Sequence, residues 1–165
     1  MTHSVTDPLA SPTRVLVVDD DPAIRLLCSI NLRLEGFAVL EAEDGRGALA
    51  QALSNCPDLV LTDVHMPALD GFQLAEALRS DDRTSRVPVI FLTSDTTSAY
   101  ETRARELGAS AYVTKPFDPT ALTALITSTL AAARPPPRNT RRVMSDETGN
   151  TEANGNRRTT TRSCS

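Results

Sequence analysis

The amino-acid sequence indicates an α/β fold: a doubly wound, five-stranded parallel sheet flanked by five helices. Three observations support this interpretation. Short apolar runs rich in valine, leucine and isoleucine recur between residues 13 and 133, and such runs are typical of strands buried on both faces of a parallel sheet. Helical segments with start and stop residues lie between these runs. The connections are short, as expected for right-handed crossovers in a layered α/β domain.

The first strand is predicted over 14–19, where RVLVVD combines β-branched and apolar residues and ends in a carboxylate. The helix that follows is predicted to begin at Asp21, since aspartate is a favoured N-cap residue. Pro22 suits the first helical turn, and Gly36 suits the end of the helix. These residues predict the first β–α unit.

The next two units follow the same order. A second strand is predicted over 37–42, and a turn at 44–45 precedes a helix over 47–53. The third strand, over 57–63, is the buried run PDLVLTD, which again ends in an acid. A helix over 71–79 completes the third unit.

The last two units complete the pattern. The run VPVIFLTS at 87–94 predicts a fourth strand, and a helix over 98–107 follows and ends at Gly108. A short fifth strand is predicted over 110–114. The final helix is predicted to open at 118–120 and to continue to about residue 133.

Charge divides the chain into an acidic body and a basic end, although its net formal charge is only −4. Residues 134–165 carry seven arginines and three acids, a net charge of +4, which leaves −8 for residues 1–133. We expect a flexible leader over 1–12, one ordered domain over 13–133 and a disordered tail over 134–165. The tail has too few apolar residues to bury a core, so we expect no second domain there.

We expect neither a targeting signal nor a membrane-spanning segment from this sequence. No apolar run approaches the roughly 20 residues that a membrane helix needs. The N-terminus lacks a basic start followed by an apolar stretch, so no secretory signal is indicated. We therefore expect a cytoplasmic protein without membrane contact.

Polar side chains stand at the carboxyl ends of four of the five predicted strands. Taken singly, each has an ordinary role, because acids and hydroxyls often form turns or caps and a lysine is usually solvated. Open parallel sheets, however, bind ligands beyond the carboxyl ends of their strands, so these residues are expected to share one edge. They are Asp19 and Asp20, Asp63, Thr93 and Ser94, and Lys115 before Pro116.

The chemistry of this set favours a metal-dependent phosphoryl site. Three carboxylates that lie together repel one another unless a cation joins them. The set offers only oxygen ligands, and Mg²⁺ prefers oxygen ligands and readily completes its shell with phosphate oxygens. Aspartate also acts as a nucleophile toward phosphoryl groups, and their transfer depends mainly on positioning and on cationic stabilisation.

Lys115 stands out because it is the only lysine among 17 basic residues of the lysine and arginine types. An ammonium group is a compact point charge on a flexible stem, whereas a guanidinium is a wide planar fork. A crowded pocket that holds a metal and a phosphoryl group has room for the ammonium. We therefore interpret Lys115 as the second cation of the site.

Four segments resemble the receiver domains of two-component response regulators, in the order and spacing of that family. The resemblance covers roughly residues 13–133 and implies a flavodoxin-like sheet of strand order 2-1-3-4-5. It further implies a single-domain regulator that takes a phosphoryl group from a histidine kinase or a histidine phosphotransfer protein. The segments are VLVVDDDPAIR, DLVLTDVHMPALDGFQL, VPVIFLTS and GASAYVTKPFD.

The resemblance implies a role for each matching acid. Asp63 would be the phosphoacceptor. Asp20 would hold Mg²⁺ directly, together with Asp63, and Asp19 would hold it partly through water. The backbone carbonyl of His65 would be a further metal ligand.

The resemblance also implies a switch. Thr93 would hydrogen-bond the phosphoryl group, Lys115 would pair with it, and Tyr112 would turn inward when Thr93 moves. Pro116 would follow a cis peptide bond. The changed surface, over about 97–133, would bind a downstream protein, and a phosphorylation-dependent dimer is a further expectation.

Three alternatives remain open. The chain could pass its phosphoryl group on as a relay intermediate without direct output. It could be an aspartate-nucleophile phosphatase, although those enzymes place the nucleophile after the first strand in an Asp-x-Asp arrangement, whereas this chain has adjacent acids there and Asp63 after the third. The basic tail could also bind nucleic acid weakly and in a salt-sensitive manner.

Overall fold

The computed structural model describes residues 11–133. The predicted tail and nearly all of the predicted leader therefore lie outside the described residues. Within residues 11–133, five strands alternate with five helices, as predicted. They are β1 Arg14–Val18, α1 Pro22–Leu34, β2 Ala38–Ala42, α2 Gly45–Asn55, β3 Leu59–Asp63, α3 Gly71–Ser80, β4 Val89–Thr93, α4 Ser98–Glu106, β5 Ala111–Thr114 and α5 Pro119–Ala133.

The strands form one parallel sheet of order β2-β1-β3-β4-β5, which confirms the predicted order. Every neighbouring pair is parallel. Successive side chains of a strand point to opposite faces, so the central strands contribute to two hydrophobic layers. Both faces of these strands are buried, which explains their nearly continuous apolar composition.

Each layer belongs to a different set of helices. Leu16 and Val60 lie in a cluster with residues of α2, α3 and α4. Val15 and Leu61 lie in a second cluster with residues of α1 and α5. The sheet is thus sandwiched between three helices and two, as expected for a doubly wound domain.

Aspartate side chains start three of the helices. Asp21 caps α1 by accepting from the amide of Ala23, and Asp70 forms a capping box with Gln73 at α3. Asp44 caps α2, since its Oδ1 accepts a 2.7 Å hydrogen bond from the amide of Gly47. Helix α2 therefore begins at Gly45, two residues earlier than predicted, because Asp44 acts as a cap and not as part of a preceding turn.

Large exposed apolar side chains of the described residues cluster on the outer side of α1. They are Leu26, Leu27, Ile30 and Leu34. None of the helices within residues 11–133 has the length and apolarity that crossing a bilayer requires.

Candidate functional site

The carboxyl ends of β1 and β3 bring two acids together. The two strands are parallel neighbours, with Val18 opposite Thr62, so the residues that come next along each strand lie side by side. These residues are Asp19 and Asp63. One carboxylate oxygen from each of them and one from Asp20 all lie within 4.8 Å of one another.

The three acids differ in exposure and in hydrogen bonding. Asp19 is 1% exposed and Asp63 is 7% exposed, whereas Asp20 faces solvent. Asp19 Oδ1 accepts a 2.9 Å hydrogen bond from the amide of Asp21. Asp63 Oδ1 accepts a longer one, 3.3 Å, from the amide of His65. The site therefore combines two nearly buried carboxylates with one that solvent can reach.

Lys115 reaches both buried acids from the end of β5. Its amide donates a 2.7 Å hydrogen bond to the carbonyl of Thr93, which holds this loop against the end of β4. Its Nζ lies 2.7 Å from Asp19 Oδ2 and 3.4 Å from Asp63 Oδ2. The peptide bond between Lys115 and Pro116 is cis, as expected. The structure thus joins the ends of β1, β3 and β5 through one ammonium group, and this group lies closer to Asp19 than to Asp63.

Burial and charge shift the pKa values of this pair. Burial raises the pKa of Asp63 above its usual range, Asp19 raises it further, and Lys115 opposes the shift. Burial alone would lower the pKa of Lys115, but its contacts with Asp19 and Asp63 outweigh burial and raise it. Lys115 is therefore charged at neutral pH, while the ionised form of Asp63 remains disfavoured by its buried position.

The remaining predicted residues surround Asp95 at the end of β4. Thr93 is fully buried, and its Oγ1 accepts a 3.1 Å hydrogen bond from the amide of Asp95. The hydroxyl of Tyr112, which is half-buried, donates a 2.7 Å hydrogen bond to the carbonyl of Asp95. The half-exposed ring of His65 lies 5.2 Å from that of Tyr100, with Nε2 3.9 Å from Asp95 Oδ2. Thr93 and Tyr112 therefore both hydrogen-bond the backbone of Asp95.

The donor set fits a small divalent cation. All side-chain donors in the cluster are carboxylate oxygens, which are the ligands of Mg²⁺, and the carboxylates outnumber the single ammonium of Lys115. Asp20 is exposed, so a cation with several bound waters can reach it without rearrangement of the core. When bound, such a cation neutralises charge and polarises phosphoryl oxygens.

Sequence reasoning missed two residues beside the acids. Nη1 of Arg25, in α1, donates a 2.7 Å hydrogen bond to the backbone carbonyl of Asp19. Glu41, in β2, lies beside Arg25, with 4.0 Å between Glu41 Oε1 and Arg25 Nε. Arg25 is the last residue of the segment VLVVDDDPAIR, but the segment does not show which group its side chain contacts, so only the folded geometry reveals the bond to the carbonyl of Asp19.

Comparison with known proteins gives one consistent result. The family model described as the response regulator receiver domain matches residues 15–127. The protein PilH of Pseudomonas aeruginosa is 38% identical over 118 residues, which cover 72% of this chain and 98% of PilH. The DNA-binding dual master transcriptional regulator RpaA of Synechocystis is 43% identical over 105 residues, which cover 64% of this chain and 44% of RpaA. The chain spans about half or less of most of the first curated relatives that it matches.

Solved structures agree with the sequence matches. The chemotaxis response regulator CheY4 of Vibrio cholerae has a TM-score of 0.68 at 33% identity, covering 72% of this chain and 99% of CheY4. A response regulator from Chloroflexus aurantiacus has a TM-score of 0.70 at 33% identity, covering 73% of this chain and 99% of that protein. The similarity thus extends over nearly the whole of these compact neighbours.

Proposed function

The chain belongs to the family of response regulator receiver domains, and from this premise we propose that it is a phosphorylation-controlled binding module with Asp63 as phosphoacceptor. Receiver domains are phosphoacceptor switches, and response regulators receive their phosphoryl groups from histidine kinases. The observation that carries the proposal is the cluster itself: three carboxylates lie within 4.8 Å of one another, and two of them contact Lys115. The match to nearly the whole of PilH supports a regulator of the single-domain type.

In the proposed reaction Asp63 is the nucleophile. One of its carboxylate oxygens forms a bond to the phosphorus of a phosphohistidine, the bond between phosphorus and nitrogen breaks, and the departing imidazole takes up a proton. Asp19, Asp20 and the backbone carbonyl of His65 would hold Mg²⁺ together with Asp63. The exposed position of Asp20 supports this assignment, since it leaves one side of the cluster open to solvent.

The ammonium group of Lys115 would form new contacts when Asp63 is phosphorylated. In the unphosphorylated protein its Nζ divides its contacts between Asp19 and Asp63. A phosphoryl group on Asp63 brings further negative oxygens into the same space, and charge-assisted hydrogen bonds to them are each worth about 1.5–3 kcal/mol. Lys115 can therefore stabilise the phosphorylated state without leaving the pocket.

Thr93 and Tyr112 would transmit the change to the surface. A shift of a two-state equilibrium from 1:99 to 99:1 takes about 5.5 kcal/mol of differential binding, more than one neutral hydrogen bond supplies. Bonds from both Thr93 and Lys115 to a phosphoryl dianion come close to that amount. Movement of Thr93 would disturb Asp95, whose carbonyl accepts the hydroxyl of Tyr112. The face formed by residues 97–133 would then bind a downstream protein.

The proposal is tested by phosphorylation with a small donor. We expect incubation with acetyl phosphate and Mg²⁺ to add the mass of one phosphoryl group to the wild type, as measured by intact-protein mass spectrometry. Asp63→Asn should remain unmodified. Asp82→Asn, which changes an exposed acid outside the site, should be modified like the wild type.

Two outcomes would contradict the proposal. Modification of Asp63→Asn at the wild-type level would place the acceptor elsewhere. Repeated turnover of an aryl phosphate, abolished by Asp19→Ala but retained by Asp63→Asn, would favour a phosphatase whose nucleophile follows β1.

A further inference from the structure

Arg25 contacts the loop that carries two of the three acids. It lies in α1, and its Nη1 donates to the carbonyl of Asp19 at 2.7 Å. The side chain is 20% exposed, so the guanidinium lies against the protein and not in bulk solvent. The bond is short and charge-assisted, which makes it stronger than an ordinary hydrogen bond to a carbonyl.

Glu41 contacts several polar groups of α1 from the edge strand β2. Its Oε1 accepts a 2.9 Å hydrogen bond from the hydroxyl of Ser29 and lies 4.0 Å from Arg25 Nε. Its Oε2 accepts a 3.2 Å hydrogen bond from Arg33 Nη2. The carboxylate is therefore fixed by its neighbours and offers Arg25 a stationary partner.

The bond to Asp19 constrains Asp20 as well. The carbonyl of Asp19 and the amide of Asp20 belong to one planar peptide unit, so fixing the carbonyl oxygen also fixes the direction in which the chain enters Asp20. Asp20 is exposed, and packing does little to orient it. On the other side, the amide of Asp19 donates to the carbonyl of Ala42 at 3.2 Å. The bond to Ala42 thus holds the peptide before Asp19, and the bond to Arg25 holds the peptide that joins the two acids.

We infer that Arg25, held in place by Glu41, is a positioning residue that sets the Mg²⁺ affinity of the acidic cluster. The inference rests on the proposed function, because it concerns the same cation. Arg25 does not touch the carboxylate oxygens that would bind the ion. It acts through the backbone of Asp19, in the way that residues around a metal site orient the ligands themselves.

The opposite effect follows if Arg25 acts by charge alone. A guanidinium beside an acidic pocket repels a divalent cation, so its removal would then tighten Mg²⁺ binding. Positioning predicts the reverse. The sign of the change in the dissociation constant therefore separates the two effects.

The test compares two arginines that contact Glu41. Arg25→Met keeps an apolar stem but removes the bond to Asp19, and we expect Mg²⁺ binding, measured by calorimetric titration, to weaken about tenfold. Arg33→Met removes the same charge from the same helix without touching Asp19, and we expect less than a twofold change. Arg25→Lys, which can still donate to the carbonyl, should regain part of the loss, and Glu41→Gln should show a smaller loss than Arg25→Met.

Phosphorylation kinetics give a second readout. The Mg²⁺ concentration that half-saturates phosphorylation by acetyl phosphate should rise about tenfold in Arg25→Met, whereas the rate at saturating Mg²⁺ should change little, because Asp63 and Lys115 are untouched. A general loss of structure would lower the saturating rate instead. Thermal melting without Mg²⁺ shows whether each variant is folded; should Arg25→Met fail to fold, Arg25→Lys and Glu41→Gln carry the same comparison.

The outcomes separate this inference from the proposed function. A wild-type protein that binds no Mg²⁺ and takes up no phosphoryl group would overturn the proposed function. If the wild type binds Mg²⁺ and takes up a phosphoryl group, the proposed function stands. The inference about Arg25 is then overturned if the Arg25 variants bind Mg²⁺ as tightly as the wild type or more tightly. Equal weakening in Arg33→Met would also overturn it.

Discussion

The amine of Lys115 contacts two carboxylates that lie almost entirely out of solvent. Asp19 is the more buried of the two and lies only 2.7 Å from Nζ, so this pair is well compensated. Asp63 lies farther from Nζ, at 3.4 Å, and its hydrogen bond from the amide of His65 is long, at 3.3 Å. The carboxylate proposed to react is therefore the less stabilised of the two buried ones. Its ionised form gains most from an added cation.

Because the ionised carboxylate of Asp63 is poorly stabilised, we predict that Asp63→Asn stabilises the protein in the absence of Mg²⁺. The pKa of Asp63 in the folded state is raised, above all by burial, so ionisation opposes folding. The free energy of unfolding of the wild type should then fall as pH rises through that raised pKa, while the variant lacks this loss. We expect Asp63→Asn to be more stable by about 1 kcal/mol at pH 8. Urea denaturation at several pH values measures the difference.

The pH dependence provides the control. Below the pKa of an unfolded aspartate, about 4, the carboxyl group is protonated in both states and the advantage of Asp63→Asn should disappear. Saturating Mg²⁺ should also reduce it, because the ion stabilises the wild-type carboxylate. An advantage that persists unchanged at acid pH would show that ionisation is not its source.

Single residues also show where sequence reasoning reaches its limit. Lys115 was predictable because a lone lysine at a strand end is unusual in a chain that otherwise uses arginine. The closer contact of Lys115 with Asp19 than with Asp63 was not predictable. It depends on a difference of 0.7 Å between two distances from Nζ, 2.7 Å to Asp19 and 3.4 Å to Asp63. Arg25 was overlooked for a similar reason: its partner is a backbone carbonyl, which carries no sequence signal.

Helices reach the site through close backbone contacts with the strand ends. Helix α3 begins at Gly71, whose amide donates to the carbonyl of Val64 at 2.9 Å. A side chain at this position would collide with the backbone of Asp63, because an added Cβ would contact its carbonyl oxygen and would lie 3.0 Å from Val64 Cα. The absence of a Cβ at residue 71 therefore lets α3 start directly behind the proposed acceptor.

We predict that Gly71→Ala displaces Asp63. The collision is with backbone atoms, which cannot rotate away, so overpacking should cost about 1–3 kcal/mol of stability. Phosphorylation by acetyl phosphate should slow at least about tenfold, since a small displacement of a reacting group strongly lowers the reaction rate. Rates at saturating Mg²⁺ and urea denaturation measure the two effects.

Gly36→Ala is the matched control. Gly36 has φ of +90° and follows α1, with nothing within 4 Å of an added Cβ. Alanine there should cost about 1–2 kcal/mol through backbone strain alone. Its phosphorylation rate should equal that of the wild type. A similar loss of rate in both variants would mean that lowered stability, and not a displaced Asp63, causes the slower reaction.

The elements themselves were largely predictable, whereas their ends were less so. β1, β3 and β4 are short apolar runs bounded by polar residues, a pattern typical of strands buried on both faces of a parallel sheet. Helix α2 was predicted too short because Asp44 and Gly45 also suit a turn. In the structure Asp44 caps the helix, because its Oδ1 accepts the amide of Gly47, and aspartate is equally common in turns and at helix N-caps. A side chain at Gly45 would also collide with the backbone of Leu69, and this tertiary proximity leaves no local trace in the sequence.

At the scale of the whole molecule, residues 11–133 contain every element that the proposed function uses. The two hydrophobic layers, the acidic cluster and the face over 97–133 all lie within this range. The family model matches 15–127, inside the same limits. Strand order was predictable because the family resemblance specified it, and the structure confirms it. The predicted division into leader, domain and tail remains a proposal.

We predict that a chain ending at Ala133 keeps Mg²⁺-dependent phosphorylation. Removing 134–165 takes away a net charge of +4 and leaves −8 on the remainder, but it removes none of the proposed site residues. The phosphorylated fraction and the melting temperature should match those of the full chain. A large loss of either would show that the tail contributes to the domain or to its site.

The same pair of proteins decides whether the basic segment binds nucleic acid. Arginine contacts to phosphate are strongly salt-dependent, so any such binding should appear at low ionic strength and fade as salt rises. If the segment is only a solvated extension, the full chain and the chain ending at Ala133 should pass through immobilised DNA together at about 50 mM salt. We expect this result, because the acidic body, with a net charge of −8, repels the phosphate backbone and opposes attraction by the tail. Retention of the full chain alone, lost again at about 200 mM salt, would instead assign a nucleic-acid contact to residues 134–165.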